Sequence, residues 1–437
     1  MPKLDLETRA DLIPDWADLS PDERAEAFHA LPPAQANDFF LGLASRDQLD
    51  LLLSIPEAER RLWLRLLPPD EAADLIQLAP EPDRAALLSQ LDDLTRREVH
   101  ALLTYKQDAA GGLMNTRFAR LHSEMVVDEA ISYLRRQAGH VETIYYAYAL
   151  DESQHLLGVV SFRDLFSADP SKTVRDIMRT NFVSASDQMD QEAVARLFRD
   201  HRLLAIPVLD AAGRMKGIVT VDDIVGVVEE EASEDIHKIG GMEALDTPYL
   251  QSGFWSMVKK RGVWLSVLFI GEMLTASAMS HFEDQIARAV VLALFVPLII
   301  SSGGNSGSQA TTLVIRAMAV GEVRLRDWWR IVYREALTGL VLGTILGAIG
   351  LARIFLWQAV WQTYGVHFVI VGLTVAFSLV GVVTFGTIAG SMLPFVLRRL
   401  GRDPASASAP FVATLVDVTG LVIYFNIAAV IMRGTLL

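Results

Sequence analysis

Apolar residues recur every 12 positions through the first hundred residues, at Leu19, Leu31, Leu43, Ile55, Leu67, Ala79 and Leu91. Proline follows several of them, in Leu31-Pro32-Pro33, Ile55-Pro56, Leu67-Pro68-Pro69 and Ala79-Pro80. Proline suits the first turn of a helix, where its missing N–H would have been unpaired anyway. Each unit therefore predicts one short helix, and successive units a small superhelix. From Leu121 to about Val228 the pattern becomes a duplication. Glu129-Ala130-Ile131 with Leu134 returns as Glu192-Ala193-Val194 with Leu197, and the run Gly158 to Asp164 returns 59 residues later as Gly217 to Asp223. Amphipathic helices alternate here with β-branched runs such as Ile206-Pro207-Val208-Leu209, which predicts paired α/β modules.

Beyond Gly253 come five apolar segments, 262–280, 288–318, 331–356, 368–397 and 411–432. Their lengths suit a hydrocarbon core of about 30 Å at about 1.5 Å per helical residue. The expected fold class is a multi-domain α, α/β and all-α membrane chain: a helical superhelix, a module pair and five transmembrane helices. The second segment is unusual, because Gly303-Gly304-Asn305-Ser306-Gly307-Ser308-Gln309 interrupts its apolar run. A backbone break at membrane depth is tolerated only inside protein or beside a wet cavity. The interruption thus predicts a permeation or binding region, with Asn305 and Gln309 as polar groups; close helix packing on the small residues is the other reading.

The chain is 437 residues long, 51% hydrophobic and of mean hydropathy +0.30, in keeping with a part-membrane protein. It has no cysteine, so disulfides and thiolate metal sites are excluded. No cleavable signal segment is expected in the acidic residues 1–16. Charge divides the chain. Up to Ser252 there are 25 Lys and Arg against 45 Asp and Glu; from Gly253 onward, 14 against 8. An acidic soluble half repels nucleic acid and fits a cationic partner. Basic residues flank one side of the apolar segments, at Lys259, Lys260, Arg261, Arg316, Arg324, Arg326, Arg330, Arg334, Arg398, Arg399 and Arg402, against Arg288, Arg353 and Arg433 on the other. The positive side faces the cytoplasm, so the soluble half is expected there and the C-terminus outside.

Two kinds of acid stand out. Asp417, in ATLVDVTGLVIYF, lies inside the fifth segment, where a charge is costly and marks a functional site. Helical spacing puts Ala413, Asp417, Gly420 and Tyr424 on one face, and small neighbours leave room for a cation that keeps its water, as magnesium prefers. Glu272 is a second acid at membrane depth, which either attracts ions or pairs with a polar group such as Asn305 while neutral. Glu335 lies near a basic edge and reads as an ion-pair partner. Between the modules and the membrane, Glu229, Glu230, Glu231, Glu234 and Asp235 crowd five carboxylates into seven positions. Such a run is either a solvated helix face or an element that cations hold in place.

The run PLIISSGGNSGSQATTLVIRAMAVGEV resembles the signature of MgtE-type magnesium channels, and the similarity extends over almost the whole chain. The duplicated modules resemble a tandem CBS pair, and the acidic segment with Glu234-Asp235-Ile236-His237-Lys238 resembles the family's plug helix. The resemblance implies these boundaries: a helical domain over 1–118, CBS modules over 119–180 and 181–228, a connecting helix over 229–252 and a membrane domain over 253–437. It implies a homodimer in the bacterial inner membrane with Mg2+ as cargo and regulator. The pore carboxylate falls on Asp417, its wall on Ala413 and Thr414, beside Gly303, Gly304, Asn305 and Gln309. Regulatory acids match Asp190, Glu192, Asp223, Glu231 and Glu234, with Asp235 beside them and Asp92 and Asp93 opposite. ATP contacts fall on Tyr146, Arg163 and Asp164, where the nucleotide would regulate without being hydrolysed. Arg202, Gly226, Leu203 and Ala409 depart from the pattern.

Two other classes fit parts of the sequence. A proton-coupled carrier of Mg2+, Co2+ or Mn2+ would use Glu272 and Asp417 and respond to a pH gradient. A membrane-anchored nucleotide sensor would bind at the CBS modules and move no ion. No nucleophile–base arrangement or P-loop suggests an enzyme.

Overall fold

The computed structural model describes residues 13, 16, 19–245, 247, 249–250 and 252–436; the stretch 1–12, most of the one expected to hold no signal segment, lies outside the described residues. Two compact units divide between Glu229 and Glu230.

The first unit opens with helices α1 (Pro21–His29), α2 (Pro33–Gly42), α3 (Ser45–Ser54), α4 (Glu57–Leu64), α5 (Pro69–Leu78), α6 (Glu81–Gln90) and α7 (Asp93–Leu102). Their first residues are 12 apart throughout, so the period of the apolar positions is the period of the helices. Two buried ladders run at the same interval, Phe28–Phe40–Leu52–Leu64–Ile76 and Phe39–Leu51–Leu75–Leu87–Val99, the second missing only the half-buried Trp63. No single short helix buries its apolar face alone; stacking neighbours does.

A short helix α8 (Ala110–Leu113) leads into β1 (Arg120–His122), α9 (Val127–Gln137), β2 (Tyr146–Leu150), β3 (Leu156–Ser161), α10 (Phe162–Ser167) and α11 (Val174–Ile177). The second module repeats this with β4 (Ala185–Ser186), α12 (Gln191–His201), β5 (Ala205–Leu209), β6 (Met215–Thr220) and α13 (Val221–Ile239). In each three-stranded sheet the first pair is parallel and the second antiparallel. Tyr146 faces Ser161 and Ala205 faces Thr220; a register shift follows Ala149 in one sheet and Val208 in the other. The 59-residue repeat thus reproduces even the irregularity of the ladder. Residues 109–115, counted with the helical domain in the sequence, pair with the second module: Ala110 N–H donates to Met189 O at 2.7 Å and Asn115 N–H to Ile218 O at 2.7 Å.

The expected separate connecting helix is instead the second half of α13. Thr220 precedes that helix, and Asp223 Oδ2 accepts from the Thr220 N–H at 3.0 Å and from its hydroxyl at 2.7 Å, tying the first turn back to the strand end. Gly240 and the left-handed Gly241 end it.

Among the described residues five helices are long and apolar enough to cross a bilayer: α14 (Phe254–His281), α16 (Val296–Ala319), α17 (Trp328–Trp361), α18 (Phe368–Arg399) and α19 (Ala409–Ile431). The brief α15 (Glu283–Arg288) and a 3-10 turn, Val290–Phe295, lead into α16. Here the structure corrects the sequence reading. Gly303 to Gln309 does not break the second span; α16 runs through it unbroken. In lipid an open backbone is costlier than glycine's weak helix preference, so the helix persists. The glycines serve contact instead. A Cβ at Gly386 would lie 2.5 Å from Gly303 O, and one at Gly390 2.2 Å from Gly307 O, so α16 and α18 meet backbone to backbone. Thr311 Oγ1 donates to Gly390 O at 2.8 Å across this seam. The α17–α18 seam uses the same device at Gly339, Gly343 and Gly347.

Candidate functional site

Asp417 sits at mid-length in α19, partly buried, on a face that also carries Ala413, Gly420 and Tyr424. That face meets α16 and the turn before it. A Cβ at Gly304 would come within 3.4 Å of Ala413 Cβ and 3.7 Å of Asp417 Oδ1, and the Tyr424 hydroxyl donates to Leu292 O at 2.9 Å. Gly304 therefore keeps open the space beside the carboxylate. Gly303 faces Val382 and Val416 instead, and Asn305 and Gln309 lie on the exposed side of α16. The Thr414 hydroxyl donates to Pro410 O at 3.1 Å, and its methyl faces Gly271 of α14. Of the expected pore set, Asp417, Ala413 and Gly304 are brought together by the fold.

The expected regulatory acids are mostly engaged locally. Asp190 caps α12 by accepting from Glu192 N–H at 3.0 Å, and Glu192 pairs with Arg196 at 2.7 Å. Asp92 caps α7 through Leu94 N–H, Thr95 N–H and the Thr95 hydroxyl, which hold its carboxyl below the ordinary range. Asp93 pairs with Arg96. On the far half of α13, which also carries Glu231 and Asp235, Glu234 pairs with Lys238, whose ammonium also meets Asp403 Oδ2 at 2.7 Å. Among the described residues no three His, Asp or Glu side chains converge to hold a metal ion.

Asp223 lies instead beside acids that sequence reasoning missed. Asn115 Nδ2 donates to Asp70 Oδ1 at 3.0 Å and to Glu142 Oε2 at 2.7 Å, drawing two carboxylates together. Burial, then the charges of Asp223, Glu142 and Glu71, push the Asp70 carboxyl well above its usual range. Lost hydration, followed by Glu142 and Asp223, pushes Glu71 up to about 7. Glu142 and Asp223 are raised for the same leading reason. Raised carboxyls favour the folded arrangement while protonated: that stability is complete below about pH 4, and it is lost as pH rises through the folded values, near 7 for Glu71. In chelator the melting temperature of the full-length protein should therefore fall between about pH 5 and 8. Asp70→Asn should remove much of that fall, recovering roughly 3–6 °C at pH 8. A pH profile identical to the wild type would show that the acids do not interact.

The third feature is a cavity of about 670 Å3 between the two modules, lined in part by Tyr146, Ser161, Arg163, Arg179, His201 and Leu203. Tyr146 and Arg163 of the expected nucleotide set line it. Asp164 does not; its carboxylate accepts from Arg179 at 3.0 Å.

Three family models match this chain: a divalent cation transporter model, MgtE, over residues 296–427, the MgtE intracellular N domain over 8–108, and CBS domains over 110–171 and 174–230. The magnesium transporter MgtE of Thermus thermophilus is 40% identical over 427 residues, covering 97% of this chain and 93% of that protein. The chain belongs to the MgtE family. MgtE of Bacillus subtilis is 32% identical, covering 94% of this chain and 89% of that protein. A crystal structure of the cytosolic domain of the Mg2+ channel MgtE in complex with ATP is 39% identical, covers 50% of this chain and 90% of that one, and superposes with a TM-score of 0.48. Membership in MgtE makes this a multi-pass membrane transporter, not an enzyme.

Proposed function

We propose that this protein is a magnesium channel of the bacterial inner membrane, closed by magnesium on its cytoplasmic side. The observation that carries the reading is Asp417, a carboxylate at membrane depth with Gly304 and Ala413 leaving room beside it. A hard divalent cation takes oxygen ligands and gives up its waters reluctantly, so one carboxylate in a small-residue setting suits it better than a tight cage. Thr414, Gly303, Asn305 and Gln309 complete the proposed pore set, with the pore at a homodimer interface that would cover the exposed amides of α16. The proposed domain limits are 1–118, 119–180, 181–228, 229–252 and 253–437, with residues 109–115 pairing onto the second module and the connecting segment continuing α13; the basic flanks support a cytoplasmic soluble half and an external C-terminus.

Gating rests on the acidic segments. Magnesium at Asp190, Glu192, Asp223, Glu231, Glu234 and Asp235, together with Asp92 and Asp93, favours the closed state; the crowding of Asp223 with Asp70, Glu71 and Glu142 supports a cation requirement there. The ion must bind the closed state more tightly than the open one. ATP is the proposed regulator at Tyr146, Arg163 and Asp164, supported by the cavity's arginines, whose guanidinium groups fork onto phosphate.

The test is Mg2+ flux into liposomes holding the purified full-length protein, with Mg2+ varied on the side of the soluble half. Flux should fall about tenfold or more as that concentration passes through the low millimolar range typical of weak carboxylate sites. Flux indifferent to it would remove the gate from the reading; no flux at all would remove the channel.

A further inference from the structure

Helix α14 packs on α19, and they meet closely at Gly271, where a Cβ would lie 3.0 Å from Thr414 Cγ2. Glu272 follows Gly271, and Asp417 lies one turn beyond Thr414, so the two carboxylates flank the same contact. Glu272 is exposed at the seam's edge. A carboxylate at that depth costs about 2.5–3.5 kcal/mol on insertion scales and calls for a compensating cation or donor.

The second observation is Thr275, one turn along α14 from Glu272. It is 9% exposed, and its hydroxyl has no hydrogen-bond partner. Threonines in the spanning helices ordinarily donate to the carbonyl four residues back, as Thr312, Thr338, Thr344, Thr374 and Thr384 do here. Thr275 does not use that bond. A buried hydroxyl without a protein partner costs free energy, so the Thr275 hydroxyl is free to bond a polar ligand or its water.

We propose that Glu272, Asp417 and Thr275 form one site for the transported divalent cation, the two carboxylates supplying charge and the Thr275 hydroxyl holding one of the ion's waters. The proposal deepens the reading of Asp417 as the pore carboxylate and rests on it. Two carboxylates and a water-bonding hydroxyl fit a partly hydrated magnesium ion, which uses one or two carboxylates and keeps several waters. Glu272 thereby sets how tightly the ion is held, and Asp417 whether it is held at all.

The experiment measures the half-saturating Mg2+ concentration for flux in liposomes, using the full chain and its Glu272→Gln, Glu272→Asp, Thr275→Val and Asp417→Ala variants. Glu272→Gln should raise it about tenfold, the factor expected for one weakened charge contact, and Glu272→Asp should restore most of the loss. Thr275→Val should raise it about threefold, in line with one hydrogen bond to a charged group's water. Wild-type half-saturation in Glu272→Gln, with Asp417→Ala silent, would overturn this site and leave the pore reading standing. Wild-type transport by Asp417→Ala would sink both. Should Glu272→Gln fail to assemble on gel filtration, Thr275→Val, which keeps every charge, decides: an unchanged half-saturation overturns the proposal.

Discussion

Replacing Asp417 by alanine should lower divalent-cation flux by two orders of magnitude or more. Two unit charges 4 Å apart interact by about 4 kcal/mol at an effective dielectric of 20, and a divalent ion meets the carboxylate with twice that charge. Retained water weakens the contact, yet even about 3 kcal/mol is more than a hundredfold in occupancy. Asp417→Asn should lose nearly as much, because it keeps the shape and removes the charge, whereas Asp417→Glu should keep part of the flux. The variants should fold, since Gly304 and Ala413 leave space on that side of α19 and no hydrogen bond of Asp417 holds the helices together. Flux measured in liposomes with matched protein content checks this. A rate within twofold of wild type in Asp417→Ala would place the ion path elsewhere.

The second large effect concerns assembly. A Cβ at Gly390 would meet Gly307 O at 2.2 Å, Gly307 C at 2.8 Å and Thr311 Oγ1 at 2.8 Å. Two of these atoms belong to the backbone of a neighbouring helix and cannot step aside as a side-chain tip can. Overpacking a filled interior costs about 1–3 kcal/mol and more where nothing yields, against a total stability of about 5–15 kcal/mol. Gly390→Ala should lower the melting temperature of the detergent-solubilised protein by about 6–12 °C, and Gly390→Val should leave little monodisperse protein on gel filtration. Gly226, also inside a helix, supplies the contrast: nothing lies within 4 Å of its absent Cβ. Gly226→Ala should be neutral or gain up to about 1 kcal/mol from helix preference. A Gly390→Ala protein as stable as wild type would mean that the α16–α18 seam is looser than its geometry implies.

What the chain disclosed beforehand was what repeats along it. The 12-residue period needs only neighbouring units to be read, and the 59-residue echo of the CBS modules extends to Ala149 and Val208 because the same sheet is built twice. Spans were equally readable, since hydrocarbon demands length and apolarity of each helix separately. The glycine run of α16 misled because Gly-Gly-Asn breaks helices in water; in lipid the same residues let Gly386 and Gly390 approach, and those partners lie some eighty residues away. Asp70 and Glu71 were overlooked for a related reason. After Pro68 and Pro69 they look like ordinary first-turn acids, stabilising to a helix start. Only folding sets them against Glu142 and Asp223, while Asp92, the more conspicuous acid, spends its carboxylate on capping α7. Thr275 carried no signal at all, because an absent hydrogen bond has no spelling in sequence.

The backbone contacts between α16 and α18 also decide which parts of the membrane unit can slide. Side chains act as bearings: they change rotamer and let one helix shift over another. At Gly303 against Gly386, and Gly307 against Gly390, peptide planes meet directly, and a threonine bond crosses the second of these contacts. Sliding of α16 over α18 is therefore more restricted than at a seam packed by side chains. Any opening movement inside the bilayer is easier at seams that still carry side chains, and the α14–α19 seam, with its carboxylates, is one of them.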